Sequence, residues 1–309
     1  MRIVFMGTST FAVPSLEALL GAGHQVLAVV TQPDRPRGRG KHLKAPPVKE
    51  AALQHHLPVF QPHRIKDREA INQVIEWDPE LIVVAAYGQI IPSEILQYPG
   101  YGCINVHASL LPEYRGAAPI QRALMAGEKQ VGVTIMYMNE GLDTGDIISQ
   151  QEISVSDAED HGRLEARLAS VGADLLIRTI ADMAAGMAKR IPQDEKMSHY
   201  APRITPGEEK IDWSSPAIEI HNLIRALSPE PAAYFSWEGQ KIKVFRSRVV
   251  EEQHKESPGQ IVAVDSEGFT VQTGSGLLKI LEVQRQGKRR MTAGDFLRGV
   301  HLRTGGRVD

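Results

Sequence analysis

A single cysteine, Cys103, stands among 309 residues. It excludes an intramolecular disulfide and a multi-cysteine metal site, and burial as a small apolar residue is the ordinary role of such a thiol. Long apolar runs are also missing. None approaches the roughly 20 residues of a membrane-spanning helix, and Arg2-Ile-Val-Phe-Met6 is too short for a secretory signal before it meets a Gly-Thr-Ser-Thr turn. A cytoplasmic location is therefore expected. Neither sign of charge dominates: 35 Lys and Arg face 37 Asp and Glu, a net −2, so a polyanionic partner would need locally concentrated positive charge. The first strand-to-helix turn lacks G-x-G-x-x-G, and neither NAD nor FAD is expected. The histidines, His55-His56 included, have no carboxylate or cysteine at ligand spacing, so no metal is expected. No internal repeat is visible.

What is present alternates strand and helix. Residues 3–6 read as a buried strand, one of Thr8, Ser9 and Thr10 as the N-cap of a helix over 11–20, Gly21 and Gly23 as its stop, and 25–31 as a second strand. Helices over 48–56, 67–77, 119–126 and about 158–186 follow, with strands over 58–60, 81–86, 131–138 and 147–155. This is the pattern of an α/β, doubly wound, Rossmann-like domain over 1–189. A proline-punctuated polar stretch over 190–206 reads as a linker. Beyond it, a helix over 216–227 precedes short strands at 233–237, 241–248, 259–264, 268–273 and 276–283, whose turn-punctuated spacing argues a smaller OB-like β-barrel over 207–309.

Chemistry concentrates between 102 and 146. Strand side chains alternate between faces, so Cys103, Asn105 and His107 share one face while Ile104, Val106 and Ala108 share the other. An amide and an imidazole at the end of an apolar strand, followed by a Ser109-Leu-Leu-Pro112 turn, suit a site that handles a carbonyl. A lone Asn-x-His is commonly just a satisfied polar pair. Asp143, in a Gly141-Leu-Asp-Thr-Gly145 loop whose glycines allow close backbone approach, makes a carboxylate available to the imidazole and changes that balance. A second feature is the stretch 32–47, where Arg35, Arg37, Arg39, Lys41 and Lys44 fall within ten positions. It has no apolar period and reads as a loop, longer than the usual two to six residues. Lys241, Lys243, Arg246 and Arg248, and later Arg285, Lys288, Arg289 and Arg290, form further basic clusters in a domain otherwise balanced by acids, a second candidate surface for a polyanion, with a solvated face as the alternative.

Asn105, His107, Ser109-Leu-Leu-Pro112, Tyr114-Arg-Gly116 and Asp143, with Thr31-Gln-Pro-Asp34 and Leu223-Ile-Arg-Ala-Leu-Ser-Pro229, resemble the signature of the 10-formyltetrahydrofolate-dependent formyltransferases. The resemblance covers essentially the whole chain. It implies a transferase that takes its formyl group from 10-formyltetrahydrofolate, with Asn105, His107 and Asp143 as catalytic residues. Ser109, Leu110, Leu111 and Pro112 would bind the folate, in a crevice shared with the 87–92 loop. It further implies initiator methionyl-tRNA as partner and acceptor in translation initiation. Arg35, Arg37, Arg39, Lys41 and Lys44 would contact RNA together with the barrel, and the chain would act as a monomer. An α-amine titrates at about 7.7–8.0, so a general base is useful. His107 is the candidate, either as base or as cationic stabiliser of the oxyanion, with Asn105 donating to that oxygen and Asp143 orienting the ring. Two other readings stand beside this one. A formyltransferase for an aminosugar nucleotide would leave the long Arg-Gly loop without evident use, and an RNA-binding module with an inactive enzyme-like half would not need an intact Asn-His-Asp set.

Overall fold

The computed structural model describes residues 1–37, 42–251 and 256–309. Its contacts divide the chain into two compact units: 1–117, 130–154 and 165–201 form the first, and 118–129, 155–164 and 202–309 the second.

A seven-stranded sheet organises the first unit. Its spatial order is Ile147–Ser154, Gln130–Tyr137, Cys103–His107, Leu81–Ala85, Arg2–Gly7, Gln25–Val30 and Val59–Phe60. Five strands, from Cys103–His107 to Val59–Phe60, run parallel. Gln130–Tyr137 runs against both of its neighbours. The β-branched run of Leu81–Ala85 is buried throughout, as a parallel strand covered on both faces requires. Helix Arg68–Glu76 turns Ala70, Ile71 and Val74 inward. Strand parity holds at the central strand. Cys103 lies in an apolar cluster with Tyr87, Ile91 and Ile95, whereas Val106 faces Gly172 of helix His161–Ala184, where an added Cβ would sit 3.0 Å from it. The strand order reverses between Arg2–Gly7 and Leu81–Ala85, and ligands of open α/β sheets bind outside the carboxyl ends there. At those ends the Thr8 hydroxyl and the Gln32 amide both donate to the Tyr87 carbonyl, at 2.8 and 3.3 Å.

In the second unit, helices Pro119–Ala126 and Ala217–Leu227 pack together. The strands form an antiparallel sheet in the order Ala233–Trp237, Gln240–Val250, Leu277–Arg285, Phe269–Gln272 and Ile261–Val264, with Met291–Thr292 pairing Leu277–Arg285. One core containing Phe235, Ile242, Phe269, Ile280 and Phe296 fills it. The two edge strands are joined through the segment 305–309. Gly305 and Gly306 bond Ile261, Val308 donates to Gly259, and Asp309 exchanges two hydrogen bonds with Ser236. The expected barrel is thus closed by a strand-like segment that carries little apolar pattern of its own. Arg122 bonds Glu208 (2.5 Å) and the Pro202 carbonyl (3.0 Å).

Two sequence expectations are corrected. The basic stretch is not all loop: Arg35–Arg37 and His42–Lys44 pair as a two-stranded ribbon. It shows no apolar period because Arg35, Pro36, Leu43 and Lys44 are all exposed, leaving no face that must be apolar. The stretch 190–206 is not a free linker either, because 190–201 is bonded into the first unit. Likewise 118–129 and 155–164 join the second unit, so the division of the chain is not contiguous.

Glu208 supplies a pH test of the second unit. Its hydrogen bonds to Arg122, and then to Thr205, hold its pKa down at about 2 against 4.5. A depressed carboxylate contributes stability fully above its unfolded value and loses that contribution as pH falls through the folded one. Denaturant midpoints of the parent and Glu208→Gln should therefore differ most near neutrality and converge between pH 4.5 and 2. A gap independent of pH would show that the Arg122 contact is not the source.

Candidate active site

The carboxyl end of Cys103–His107 places Asn105 and His107 on one face, both buried. His107 Nε2 lies 3.1 Å from the Tyr114 carbonyl. A carbonyl only accepts, so Nε2 carries the hydrogen. Nδ1 is then the nitrogen that faces Asp143, 3.8 Å from Oδ2, which is beyond hydrogen-bond length. The same Oδ2 accepts the Gly116 backbone N–H at 2.9 Å. The structure thus brings His107 and Asp143 together, with Asn105 two residues earlier on the same strand face. Asn105 is 9% exposed, and among the described residues its carboxamide has no hydrogen-bond partner, so its donors are free for a group arriving from outside.

The Ser109–Pro112 turn is held rigidly. Thr134 Oγ1 donates to the Ser109 carbonyl (2.7 Å) and accepts from Leu111 N (3.0 Å), and Gln150 Nε2 donates to the Leu111 carbonyl (2.8 Å) and to Thr134 Oγ1 (2.9 Å). The Leu111–Pro112 bond is cis. Ser109 spends its hydroxyl on the Glu113 carbonyl at 2.7 Å, and Leu111 is buried against Met136 and Ile147. Two of the four residues expected to bind folate therefore build the turn, while Leu110 and Pro112 are half-buried. Leu110 fits because position 132 is glycine: a Cβ there would approach Leu110 Cδ2 to 2.5 Å.

Several site residues carried no clear signal in the sequence. Thr134 stands only as a polar break in the apolar run of the strand expected over 131–138. Gln193, Arg115 and Glu195 were not visible as a set, because Gln193 and Glu195 lie in the proline-punctuated stretch. Gln193 Nε2 donates to the carbonyls of Asp143 (2.9 Å) and Gly145 (2.7 Å), while its Oε1 accepts from Arg115 Nε (3.0 Å). Arg115 in turn grips Glu195 with both terminal nitrogens at 2.9 Å, and those bonds hold the Glu195 carboxyl below its usual pKa.

Of the expected RNA contacts, Arg35 and Lys44 sit opposite each other on the exposed ribbon. Arg35 also donates to Gln32 at 3.1 Å. Arg37 pairs with His42 through the ribbon backbone, and Arg39 and Lys41 lie outside the described residues. At the base of the ribbon, Asp34 receives Lys49 (2.8 Å) and Gln61 (2.7 Å). Among the described residues no group of three His, Cys, Asp or Glu side chains could hold a metal ion, and no helix is long and apolar enough to cross a membrane.

Comparison with known proteins agrees across the chain. Residues 1–180 match the family model described as formyl transferase, and residues 203–301 match that of the formyl transferase C-terminal domain. A methionyl-tRNA formyltransferase of Syntrophomonas wolfei is 52% identical over 306 residues, covering 99% of this chain and 98% of that protein. One from Bacillus subtilis is 48% identical over 305 residues, covering 98% and 96%. Among solved structures, an N-formyltransferase from Helicobacter canadensis in complex with folinic acid and dTDP-3-aminofucose superposes with a TM-score of 0.67 at 21% identity, over 92% of this chain and 99% of that one. HypX from Aquifex aeolicus with tetrahydrofolic acid gives 0.66 at 19%, over 97% of this chain and 48% of that one. At such identities the two structures speak to the fold alone.

Cys103, two residues from Asn105 on the same face, is pushed up to about 12 by burial. Because the thiolate is the nucleophile, the folded protein should resist alkylation at pH 8 and react readily once unfolded in denaturant. The sign for stability follows. A folded pKa raised from 9.0 to about 12 favours the fold below pH 9 and is lost as pH rises toward 12. Rapid labelling of the native protein would place the thiol in solvent instead.

Proposed function

Because the chain belongs to the formyl transferase family, matched in both its N-terminal and its C-terminal domain, we propose that it formylates the amino group of methionine on initiator methionyl-tRNA, for translation initiation. 10-Formyltetrahydrofolate is the donor and no metal takes part. The observation that carries this reading is the identity of about half, end to end, with proteins named methionyl-tRNA formyltransferase. Asn105, His107 and Asp143 come from one chain, so no second copy is needed to complete the set, and we place the protein in the cytoplasm as a monomer.

The residues present fit the donor. Asn105 offers unpartnered amide hydrogens at the end of a buried strand, and Leu110 and Pro112 present half-buried apolar surface in the turn that follows that strand. The bound donor supplies an electrophilic formyl carbon and a leaving nitrogen. In the proposed transfer Asn105 donates to the oxygen that becomes negative as the amine attacks, which is where preorganised donors contribute most. His107 takes the amine proton at Nδ1, since Nε2 is committed to the Tyr114 carbonyl. Once protonated, Nδ1 becomes a donor toward Asp143, whose carboxylate is already anchored by Gly116. The geometry thus supports His107 as base first and cation second, one role leading to the other. The catalytic assignment read for residues 1–189 is kept for 1–117, 130–154 and 165–201, and the RNA-contacting one read for 207–309 is kept for the unit that also takes in 118–129, 155–164 and 202–206.

A transfer assay offering 10-formyltetrahydrofolate with either charged initiator tRNA or an aminosugar nucleotide tests the reading directly. Formylation of the aminosugar and not of the tRNA would replace it. With the tRNA as acceptor, His107→Ala should lower turnover by about 10²–10⁴-fold, the usual worth of a general acid or base. Turnover within a factor of about three of the parent would remove His107 from that role, being far below this range.

The exposed ribbon generates a separate expectation. Replacing Arg35, Arg37, Arg39, Lys41 and Lys44 by alanine should weaken tRNA binding and flatten its salt dependence, each lost phosphate contact reducing the slope of log K against log salt by about 0.9 on duplex. An unchanged slope in an ionic-strength titration would assign these cations to solvent.

A further inference from the structure

Residues 190–201 do more than join two units. Ile191 exchanges two hydrogen bonds with Ile147, at 2.8 and 3.0 Å. Two residues on, Gln193 uses every polar atom of its amide: both hydrogens go to the Asp143 and Gly145 carbonyls, and the oxygen accepts from Arg115. Glu195 then clamps the same guanidinium. Further along, the His199 carbonyl accepts from Arg115 N (2.9 Å) and the Ala201 carbonyl from Ala117 N (3.0 Å), with Tyr200 and Ala201 laid parallel to Arg115 and Gly116. The approach is close enough to demand glycine at 116, which has φ +123 and where a Cβ would lie 2.8 Å from the Ala201 carbonyl oxygen.

The segment therefore holds Asp143 from both ends. Gln193 fixes its backbone carbonyl, and the pairing at 200–201 fixes Gly116, whose N–H fixes its carboxylate. Asp143 needs such holding, because at φ 52 it occupies a region a non-glycine residue adopts only when its surroundings impose it. Arg115 is buried while its partner Glu195 is exposed, so the guanidinium is oriented by Gln193 and Glu195 together, with Glu195 reaching it from the solvent side.

We propose that residues 190–201 act as a strap across the catalytic end of the first unit, with Gln193 as the positioning residue that sets Asp143 against His107 and with Arg115 and Glu195 bracing it. The proposal rests on the formyl-transfer reading for its kinetic readout and on His107 spectroscopy for a readout independent of it.

The test compares the parent, Gln193→Met, Asp143→Asn and the double variant of the full chain. Methionine keeps the length of glutamine and removes its donors and its strong acceptor. Gln193→Met is expected to lower kcat on the order of 10²-fold, the effect of misplacing a catalytic group by about an ångström, with KM for folate and tRNA nearly unchanged. The His107 ring resonances should move in the same sense as in Asp143→Asn. In the Asp143→Asn background the same substitution should cost almost nothing more, because residues acting through one group are not additive. A full repeat of the loss in that background, or unmoved His107 resonances, would overturn the proposal. Glu195→Ala, at an exposed position, guards against a folding defect. It loosens only the brace and should shift kcat and the His107 resonances in the same direction by less, and no change in either also overturns the proposal. A parent that transfers no formyl group to methionyl-tRNA would defeat the formyl-transfer reading, while the His107 resonances would still decide on the strap.

Discussion

One carboxylate oxygen, Oδ2 of Asp143, carries the constraint on which the arrangement depends. It accepts the Gly116 N–H at 2.9 Å and faces His107 Nδ1 at 3.8 Å, so a backbone hydrogen bond decides where the negative charge sits relative to the imidazole. That bond is possible only because residue 116 is a glycine beside Tyr200 and Ala201, and because Asp143 accepts a left-handed backbone. The strand Cys103–His107, in contrast, is fixed by parallel pairing with Leu81–Ala85 and antiparallel pairing with Gln130–Tyr137. The site therefore joins a rigid half that presents Asn105 and His107 to a half assembled from loops.

That division explains what could be read in advance. Asn105 and His107 were legible because strand alternation fixes which residues share a face, and Cys103 and Val106 sit on opposite faces as required. Asp143 was legible as a candidate because glycines bracket it. Arg115 stood in the Tyr114-Arg-Gly116 signature, but its partners Gln193 and Glu195 were hidden, since their meaning lies in a crossing of chain segments roughly 80 positions apart, and nothing local in a proline-punctuated polar stretch distinguishes a bonded strap from a free linker. The ribbon of Arg35–Arg37 and His42–Lys44 escaped for a different reason. Alternation reveals a strand only when one face is buried, and the described ribbon residues are exposed on both.

The second unit shows the same limit at the level of the fold. Five of its strands followed turn-punctuated spacing and were placed within a residue or two, while the two-residue strand Met291–Thr292 was not read. The closing segment at 305–309 could not be found that way, because Gly305 and Gly306 bond to Ile261 through backbone groups alone. The helix Pro119–Ala126 also packs with a partner about 100 positions later, Arg225 donating to the Leu124 carbonyl at 3.4 Å. Amphipathic pattern predicts that such a helix must bury a face, but not which unit supplies the cover.

A chain with a net charge of −2 is an unlikely-looking partner for a polyanion until its ion pairs are sorted by what holds them. Arg290 is bound by Glu282 at two nitrogens and lies over the Phe245 ring, and Lys279 is nearly buried between Asp265 and Glu267. These cations are committed to the fold. Arg248 meets Glu267 at 3.6 Å with both side chains more than half exposed, a kind of pair that contributes little and is screened by salt. Arg246 and Arg289 have no acidic partner among the described residues. A phosphate can take the place of such exposed carboxylates at small cost, and the counterions it releases favour the exchange. The overall balance of charge therefore measures how many acids the surface carries, whereas affinity for RNA depends on how loosely those acids hold the cations between them.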